Sequence, residues 1–446
     1  MALSGIEIFK RLPKTNCGEC GVPTCLAFAM NLAAGKTVLD SCPHMDPKVR
    51  EELSEASAPP IRQIGLGAGK RAFKIGGETV MFRHEKTFCN PTAIAALLNI
   101  DLGEDHIRRK LKEWNTIQYE RVGLTLMPEL VALKDSSNNK DIFTSAAKIV
   151  AEESEFGLIL ISSDAESLKS AALVSAFKRP VLYAATVENI DDIAELAKEM
   201  SLPLAVKGKN LQDAAILTEK LMAAGLKDLI IDSGARNPKE CFEDQVKIRR
   251  GALTGKKQLG FPTIAFPCEM ADNLDVETML SSMLIAKYAA IVVLSDFKGE
   301  SVFPLLLERL NLFTDPQRPM TVTKGIYEIG SPDENSPVLV TTNFSLTYFI
   351  VNGEIENSRI PAWLLIIDTE GLSVMTAWAA GKFSGDIVGS FVKKSGIQDK
   401  VSHRKIIIPG STASINAELE EELPGWEIII GPRDASLIPA FLKRIK

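Results

Sequence analysis

Long apolar segments are missing from this 446-residue sequence. Runs such as 289–294 and 364–367 are far shorter than the roughly 20 residues that span a bilayer, and residues 1–14 lack the basic start and apolar core of a secretory signal. An excess of basic charge is missing too, since the net charge is -6 and the pI is near 5.6. The sequence therefore predicts a cytoplasmic protein with no nucleic acid and no membrane among its partners.

Cysteine is scarce as well, and the seven cysteines are unevenly placed. Four of them lie within the first 42 residues, whereas Cys89, Cys241 and Cys268 are isolated. Clustered cysteines in a cytosolic protein indicate metal binding rather than disulfide bonds.

The four clustered cysteines, Cys17, Cys20, Cys25 and Cys42, have the spacing C-x2-C-x4-C-x16-C. Four thiolates from one short segment match the ligand number of a cubane iron–sulfur cluster. Structural zinc sites usually pair two C-x2-4-C knuckles, which this spacing does not provide. We therefore predict a [4Fe–4S] cluster, with a zinc site or unligated buried thiols as the alternatives.

Prolines divide the chain, whose length already implies more than one domain. Residues 1–57 form a small cysteine-bearing domain that includes a helix over 46–55. The pair Pro59-Pro60 then interrupts regular structure and predicts a first linker. Prolines and turn formers at 315–319 and 331–337 mark a second boundary.

Residues 61–325 alternate short apolar, β-rich runs with amphipathic segments. Eight strand–helix units in about 250 residues predict a central (β/α)8 TIM barrel, with a doubly wound open sheet as the alternative. A hairpin with its turn at Gly76-Gly77 is predicted to close one end of the barrel. The predicted strands are 80–84, 130–133, 158–162, 181–185, 204–207, 229–232, 263–266 and 291–294.

Residues 326–446 predict a small doubly wound α/β domain, in which ligands bind outside the carboxyl ends of the strands. The loops at these ends are rich in small residues, which let a backbone approach a large flat ligand; ordinary turns are the alternative. The predicted strands are 338–342, 363–368, 405–409 and 426–431. The predicted helices are 376–382, 385–394, 415–423 and 435–443.

Three residues of the barrel, Asp232, Cys268 and Asp296, end predicted strands, where barrel enzymes place catalytic groups. Neither a histidine nor a second cysteine accompanies Cys268 in sequence. We therefore predict a structural role for Cys268 and no catalytic residue in the barrel. The glycine-rich segment 65–70 lacks the spacing of a phosphate-binding loop and is predicted to be a turn.

Four segments resemble the large subunit of the corrinoid iron–sulfur protein, the methyl carrier of the reductive acetyl-CoA pathway. They are NCGECGVPTC at 16–25, LDSCP at 39–43, PVLVTTNFSLTY at 337–348 and GLSVMTAWAAGKF at 371–383. The similarity runs from end to end. It implies a [4Fe–4S] domain at 1–57, a TIM barrel at 61–325 and a C-terminal cobalamin-binding domain at 326–446.

The resemblance also implies which residues hold the two cofactors. The cluster ligands would be Cys17, Cys20, Cys25 and Cys42. The cobalt-ligating motif D-x-H-x-x-G does not occur in the sequence, so a base-off cobalamin is implied, with Thr376 as the candidate beneath the corrin. The residues implied to cradle the corrinoid are Thr341, Thr342, Asn343, Leu346, Glu370, Gly371, Leu372, Ser373, Thr376, Gly410, Ser411, Gly431 and Arg433.

The implied function is that of a methyl carrier rather than an enzyme. Cobalamin in the Co(I) state would accept a methyl group from methyltetrahydrofolate, and methyl-Co(III) would donate it to acetyl-CoA synthase, while the cluster returns oxidised Co(II) to Co(I). The implied partners are a small subunit, a methyltetrahydrofolate methyltransferase, acetyl-CoA synthase and a reductive activator. Two other functions stay open: a pterin-dependent methyltransferase acting through the barrel, and a ferredoxin-like electron carrier.

Overall fold

The structure is a computed structural model that describes residues 4–33, 36–121, 123–136 and 139–445. The strands are β1 (Ile64–Leu66), β2 (Phe73–Ile75), β3 (Ala93–Asn99), β4 (Tyr119–Arg121), β5 (Leu124–Leu126), β6 (Leu130–Lys134), β7 (Gly157–Ile161), β8 (Val181–Ala185), β9 (Leu204–Lys207), β10 (Leu229–Asp232), β11 (Ile264–Ala265), β12 (Ile291–Leu294), β13 (Gly325–Ile329), β14 (Val338–Thr342), β15 (Ala362–Ile367), β16 (Lys405–Ile408) and β17 (Glu427–Ile430). The α-helices are α1 (Gly5–Arg11), α2 (Cys25–Ala33), α3 (Pro47–Ser57), α4 (Glu104–Trp114), α5 (Lys140–Glu153), α6 (Ala165–Ser175), α7 (Ile190–Met200), α8 (Leu211–Ala223), α9 (Pro238–Leu253), α10 (Leu274–Ala286), α11 (Gly299–Leu312), α12 (Ser345–Ser358), α13 (Val374–Ala379), α14 (Gly385–Ser395), α15 (Asn416–Glu422) and α16 (Ile438–Ile445).

The described residues form two compact units. The first unit lies within Met1–Met81, Phe88–Gln118 and Met127–Phe313. The second unit lies within Phe82–Thr87, Tyr119–Leu126 and Thr314–Lys446. The cysteine-bearing segment and the barrel therefore group together, and two short segments from within the barrel sequence group with the C-terminal residues.

Eight parallel strands close into a barrel in the first unit. Their order is β10-β9-β8-β7-β6-β3-β12-β11, and a bridge between Ile231 and Thr263 brings β10 back to the start of β11. Each strand is followed by a helix, from α4 to α11 in chain order. Small and branched side chains such as Ala95, Ala132 and Ile159 fill the interior. The TIM-barrel prediction is confirmed.

A two-stranded hairpin closes the amino-terminal end of the barrel. β1 and β2 pair antiparallel, and Ile64 and Ile75 are buried in the same core as the barrel strands. The guanidinium of Arg179 donates a hydrogen bond to the carbonyl of Gly65. The hairpin prediction is thus confirmed, but its turn is at 67–72 rather than at Gly76-Gly77, which follow β2.

The first predicted barrel strand, 80–84, is wrong. These residues have no regular structure, and the strand position is taken by β3, whose sequence is AIAALLN. Alanine and leucine favour helices in isolation. Inside a narrow barrel, however, Ala93 and Ala95 fit the space between opposite strands, so tertiary packing overrides the local preference. The other seven predicted strands overlap β6 to β12.

The second unit contains a five-stranded sheet in the order β13-β15-β14-β16-β17. β14 to β17 are parallel, whereas β13 pairs antiparallel with β15. Phe383 and Val388 pack on one face of the sheet, and Ile355 and Phe441 pack on the other. Helices on both faces confirm the predicted doubly wound α/β fold.

Two elements of this sheet escape the sequence analysis, β13 and α12. The sequence of α12, SLTYFIVNGEIENS, combines β-branched and aromatic residues with a central Gly353, and no side chain caps its start. These features lower the helical signal. In the amino-terminal segment, by contrast, the predicted helix is confirmed as α3, with Asp46 accepting hydrogen bonds from the N–H groups of Lys48 and Val49.

None of the helices in the described part of the chain is both long enough and apolar enough to cross a bilayer.

Candidate functional sites

The cysteine-bearing segment brings three of its thiols into one small core. Cys25 begins α2, and Cys42 follows a short 3-10 helix, Leu39–Ser41. Both are buried in a core with Phe28, and Cys20 packs against that core from its edge. Because thiols are weakly polar, they tolerate this apolar surrounding without ligands, and as thiolates they are the donors that iron–sulfur clusters use.

The loop between the thiols is tightly wound. Gly18 and Gly21 have φ values of +78° and +84°, a conformation that glycine adopts without strain. The amide oxygen of Asn16 accepts a hydrogen bond from the N–H of Cys25 at 2.9 Å. This bond fixes the start of α2, where unpaired N–H groups favour negative charge such as that of thiolates and sulfides.

The fourth thiol, Cys17, is exposed and lies next to polar side chains. Its sulfur, a carboxylate oxygen of Glu19 and a ring nitrogen of His44 all lie within 4.8 Å of one another. The ring Nε2 of His44 is 3.1 Å from Glu19 Oε2. The four predicted ligands therefore occupy one segment, with Cys17 at its exposed edge.

A cavity of about 320 Å³ opens at the carboxyl ends of β14 and β16. The strand order reverses at this point, because β14 lies between β15 and β16, and such switch points are the usual ligand sites of doubly wound sheets. Among the residues implied by the resemblance, the cavity is lined by Thr341, Ser373, Ser411, Gly431 and Arg433.

The apolar wall of this cavity is not predicted from the sequence. Ile350 and Val351 of α12, together with Met375 of α13, line it and present apolar surface. Ile350 and Met375 are also about half exposed. The apolar residues within 346–351 could have predicted this wall. Their spacing indicates one apolar face only if the segment is known to be a helix. The implied residues that do not line the cavity are Thr342, Asn343, Leu346, Glu370, Gly371, Leu372, Thr376 and Gly410.

One residue that lines the cavity has a hydroxyl without a partner in the described part of the chain. The hydroxyl of Thr341 is buried and makes no hydrogen bond, and the same holds for Thr342 next to it. Buried hydroxyls are normally paired, because leaving one unpaired costs free energy. An occupant of the cavity that reached the Thr341 hydroxyl would pair it, whereas Thr342, whose hydroxyl is also unpaired, does not line the cavity.

The small residues of the loops are explained by the protein itself. A side chain at Gly410 would come within 2.3 Å of the carbonyl oxygen of Gly431, and one at Gly371 would come within 2.8 Å of Thr321. These glycines let neighbouring loops pack closely against one another. Glycine at these two positions is therefore explained without the close approach of a flat ligand.

The carboxyl end of the barrel is occupied by a buried ion pair. The carboxylate of Asp232 accepts hydrogen bonds from Tyr183 Oη at 2.6 Å, from the N–H of Gly234 at 2.8 Å, and from two N–H groups of Arg236 at 2.9 and 3.1 Å. These four donors use the acceptor capacity of one carboxylate. Burial and the adjacent Asp232 raise the pKa of the Tyr183 hydroxyl well above its usual value.

The other two candidate residues of the barrel are Cys268 and Asp296. Burial raises the pKa of Cys268 to about 12, so its thiol stays protonated and unreactive at neutral pH. The carboxylate of Asp296 is bound by Lys110 and by the indole N–H of Trp114, both at 2.7 Å. The structural role predicted for Cys268 agrees with this environment.

The chain begins with a four-cysteine segment, continues with a barrel and ends with a doubly wound domain that has a cavity at its switch point. This order of parts defines a modular cofactor-binding protein. A family model described as "CO dehydrogenase/acetyl-CoA synthase delta subunit" matches residues 63–442, and one described as "Putative Fe-S cluster" matches residues 12–44.

Two relatives are similar over nearly their whole length. The "Corrinoid/iron-sulfur protein large subunit" of Moorella thermoacetica is 45% identical, over 99% of each chain. The "Acetyl-CoA decarbonylase/synthase complex subunit gamma" of Methanopyrus kandleri is 36% identical, over 99% of this chain and 98% of that one. The chain belongs to this family of corrinoid iron–sulfur large, or gamma, subunits.

Among solved structures, a dihydropteroate synthase from Anaplasma phagocytophilum is similar to the chain. It has 14% identity and a TM-score of 0.39, over 50% of this chain and 99% of that one. This likeness is too low to bear on function.

Proposed function

We propose that the chain is a methyl-group carrier that holds a [4Fe–4S] cluster and a base-off cobalamin. The observation that carries this proposal is the cavity at the switch point of the second unit, with its unpaired Thr341 hydroxyl and its apolar wall. When bound, cobalamin supplies a cobalt centre that accepts a methyl group and gives it up again. The similar protein of Moorella thermoacetica is a corrinoid/iron-sulfur protein by name, and membership of the same family supports the proposal.

Each cofactor has a candidate set of side chains. Cys17, Cys20, Cys25 and Cys42 would supply the thiolates for the cluster. In the second unit, Ile350 and Met375 would exclude water from the corrinoid, and Ser373, which lines the cavity, would contact it. Thr376 is outside the cavity lining and is a candidate through the resemblance and through its contact with Ser373. The hydroxyls of Ser373 and Thr376 are 3.0 Å apart, so one orients the other.

The proposed carrier function also requires partner proteins. We propose that a small subunit pairs with the chain, that a methyltetrahydrofolate methyltransferase and acetyl-CoA synthase exchange the methyl group with it, and that a reductive activator restores it after oxidation. A pterin-dependent methyltransferase acting through the barrel is the weaker candidate. The carboxylate of Asp232 already accepts hydrogen bonds from four donors of the chain itself, which leaves none of its acceptor capacity for a substrate.

The experiment that tests the cofactor content is metal analysis of the anaerobically purified chain, produced with a small subunit and with cobalamin supplied. We expect about four iron atoms and one cobalt atom per chain, with the absorption spectrum of a base-off corrinoid. Iron without cobalt would refute the carrier and favour the ferredoxin-like electron carrier.

Replacing Thr341 by valine is expected to change stability and affinity in opposite directions. Valine has nearly the same shape, so the cobalamin-free chain should gain about 1 kcal/mol through the loss of an unpaired buried hydroxyl. Cobalamin affinity should fall about two- to tenfold through the loss of one hydrogen bond. Urea unfolding and cobalamin titration measure the two effects.

The matched control is Thr412→Val in a neighbouring loop. The hydroxyl of Thr412 is equally buried but donates a hydrogen bond to the carbonyl of Pro409 at 2.9 Å. Its loss should destabilise the chain by about 1 kcal/mol. If both variants lower the stability alike, the hydroxyl of Thr341 is paired and the cavity argument is wrong.

A further inference from the structure

One buried side chain of the second unit, Asn343, binds a loop with both ends of its amide. Its Oδ1 accepts hydrogen bonds from the N–H groups of Thr369 and Gly371, both at 3.0 Å. The hydroxyl of Thr369 lies 3.1 Å from this oxygen and 3.0 Å from the carbonyl oxygen of Leu372, and its one proton serves one of the two. Its Nδ2 donates to Asp368 Oδ1 at 3.1 Å. An amide oxygen has two lone pairs, so this oxygen has no capacity left for a ligand.

The loop that Asn343 holds has a conformation that needs support. Glu370 and Gly371 have φ values of +56° and +77°. A left-handed conformation costs a residue with a side chain about 1–2 kcal/mol, so Glu370 adopts it only where other bonds impose it. Two of the bonds to Asn343 come from the backbone N–H groups on either side of Glu370. The N–H of Glu370 itself donates to Asp368 Oδ1 at 3.1 Å, so Asn343 and Asp368 together fix the path of this loop.

The loop leads directly into the candidate corrinoid site. Ser373 follows it and lines the cavity, and the first turn of α13 carries Thr376. The N–H of Ala377 donates to the carbonyl of Ser373 at 2.7 Å, which ties the start of the helix to the end of the loop. A shift of the loop would therefore move Ser373 and Thr376 together.

We propose that Asn343 is a positioning residue of the corrinoid site. Through the loop 368–371 it sets the places of Ser373 and Thr376, and it makes no contact of its own with the corrinoid. This inference rests on the proposed function, and it gives Asn343 a different role from the direct contact that the resemblance implies.

Two variants separate positioning from contact. Asn343→Leu removes the amide and leaves the N–H groups of Thr369 and Gly371 without their acceptor. The exchange variant, Asn343→Asp with Asp368→Asn, keeps the bonds of residue 343, because its carboxylate accepts from the N–H groups of Thr369 and Gly371 and from the new amide. It gives up one bond, that from the N–H of Glu370 to Asp368 Oδ1 at 3.1 Å. The exchange also removes the pairing of Asp368 with Lys324, which at 4.0 Å and on the surface contributes little.

The first measurement is hydrogen exchange of the loop amides in the full chain without cobalamin. In Asn343→Leu the amide hydrogens of Thr369 and Gly371 should exchange with solvent at least about tenfold faster than in the parent. The exchange variant, which carries Asn343→Asp and Asp368→Asn, should restore the protection of these amides. The second measurement is titration with cobalamin. Asn343→Leu should weaken binding about tenfold or more, and the exchange variant should restore it to within about threefold.

A further arm tests the route through Thr376. If Asn343 acts by placing Thr376, the double variant Asn343→Leu with Thr376→Val should bind cobalamin about as well as Asn343→Leu alone. The control is Ser336→Ala, which breaks a polar turn with Asp333 before the opposite end of β14. That variant should lose stability and keep the cobalamin affinity of the parent.

The outcomes are distinct. If the exchange variant regains loop protection but not affinity, Asn343 contacts the corrinoid directly and the inference is overturned. If Asn343→Leu binds cobalamin as tightly as the parent, the loop does not position the site and the inference alone fails. A parent chain that binds no cobalamin overturns the proposed function as well.

Discussion

Replacing Cys25 and Cys42 together by alanine is expected to abolish iron binding. The parent chain should contain about four iron atoms, and the double variant close to none, because two of the four thiolate ligands are gone. Both thiols are buried in the core with Phe28, and alanine offers no ligand atom in their place. Iron analysis of anaerobically purified protein, with the absorption spectrum of the cluster, measures the effect.

The same variant should also loosen the segment that holds the ligands. Cluster binding and folding are coupled when ligands come from a short segment with a small core, as here between α1 and α3. We expect faster proteolysis within 16–45 and unchanged protection of the barrel strands. The control is Cys241→Ala, a buried and isolated cysteine of α9, which should retain all the iron. Stoichiometric zinc in the parent chain, or full iron in the double variant, would contradict the predicted cluster.

Replacing Arg249 by methionine is expected to cause a large loss of stability in the barrel. Arg249 is 4% exposed, and its guanidinium binds Glu78 Oε2 at 3.4 Å and the carbonyl of Val80 at 3.0 Å. The carboxylate of Glu78 is buried as well and would lose its partner. Breaking a buried ion pair from one side costs about 3–5 kcal/mol. Urea unfolding of the parent and the variant measures this loss.

The loss should depend on pH in a defined direction. Burial raises the pKa of Glu78 above 4.5, although Arg249 opposes this rise. A carboxyl group with a raised pKa favours the folded state in acid, and this contribution disappears as the pH rises through the folded-state pKa. Without Arg249 that pKa rises further. The deficit of Arg249→Met should therefore be small near pH 4.5 and grow towards neutral pH.

Two variants check this explanation. Arg250→Met changes the neighbouring, exposed arginine of α9 and should shift the stability by less than about 0.5 kcal/mol. Adding Glu78→Gln to Arg249→Met removes the unpaired charge and should recover much of the lost stability at neutral pH. If the double variant is no more stable than Arg249→Met, the effect arises from lost packing rather than from a buried charge.

Periodic and spaced features of the sequence predict much of the fold. The alternation of apolar runs and amphipathic segments predicts β6 to β12 and the parallel strands of the C-terminal sheet, because buried parallel strands must be apolar throughout. The spacing of the four cysteines predicts the segment that carries them. Both kinds of signal are local, so they can be read without the tertiary structure.

Other features depend on neighbours that are distant in sequence. β3 is alanine-rich because the barrel interior is narrow, and α12 has weak helical signals because its stability comes from packing on the sheet. The wall of the cavity formed by Ile350 and Met375 combines side chains of α12 and of α13. The bonds of Asn343 to the loop 369–371 join two strand ends across the sheet. Neither arrangement is visible in the sequence alone.

The most direct test of the carrier proposal follows a labelled methyl group from methyltetrahydrofolate. The chain, loaded with cobalamin and reduced, is incubated with the labelled substrate in the presence and absence of a partner methyltransferase, then separated and counted. We predict label on the chain only when the methyltransferase is present, and its subsequent transfer to acetyl-CoA synthase. Label acquired without any methyltransferase would show that the chain catalyses methyl transfer itself, and no label in either case would contradict the carrier.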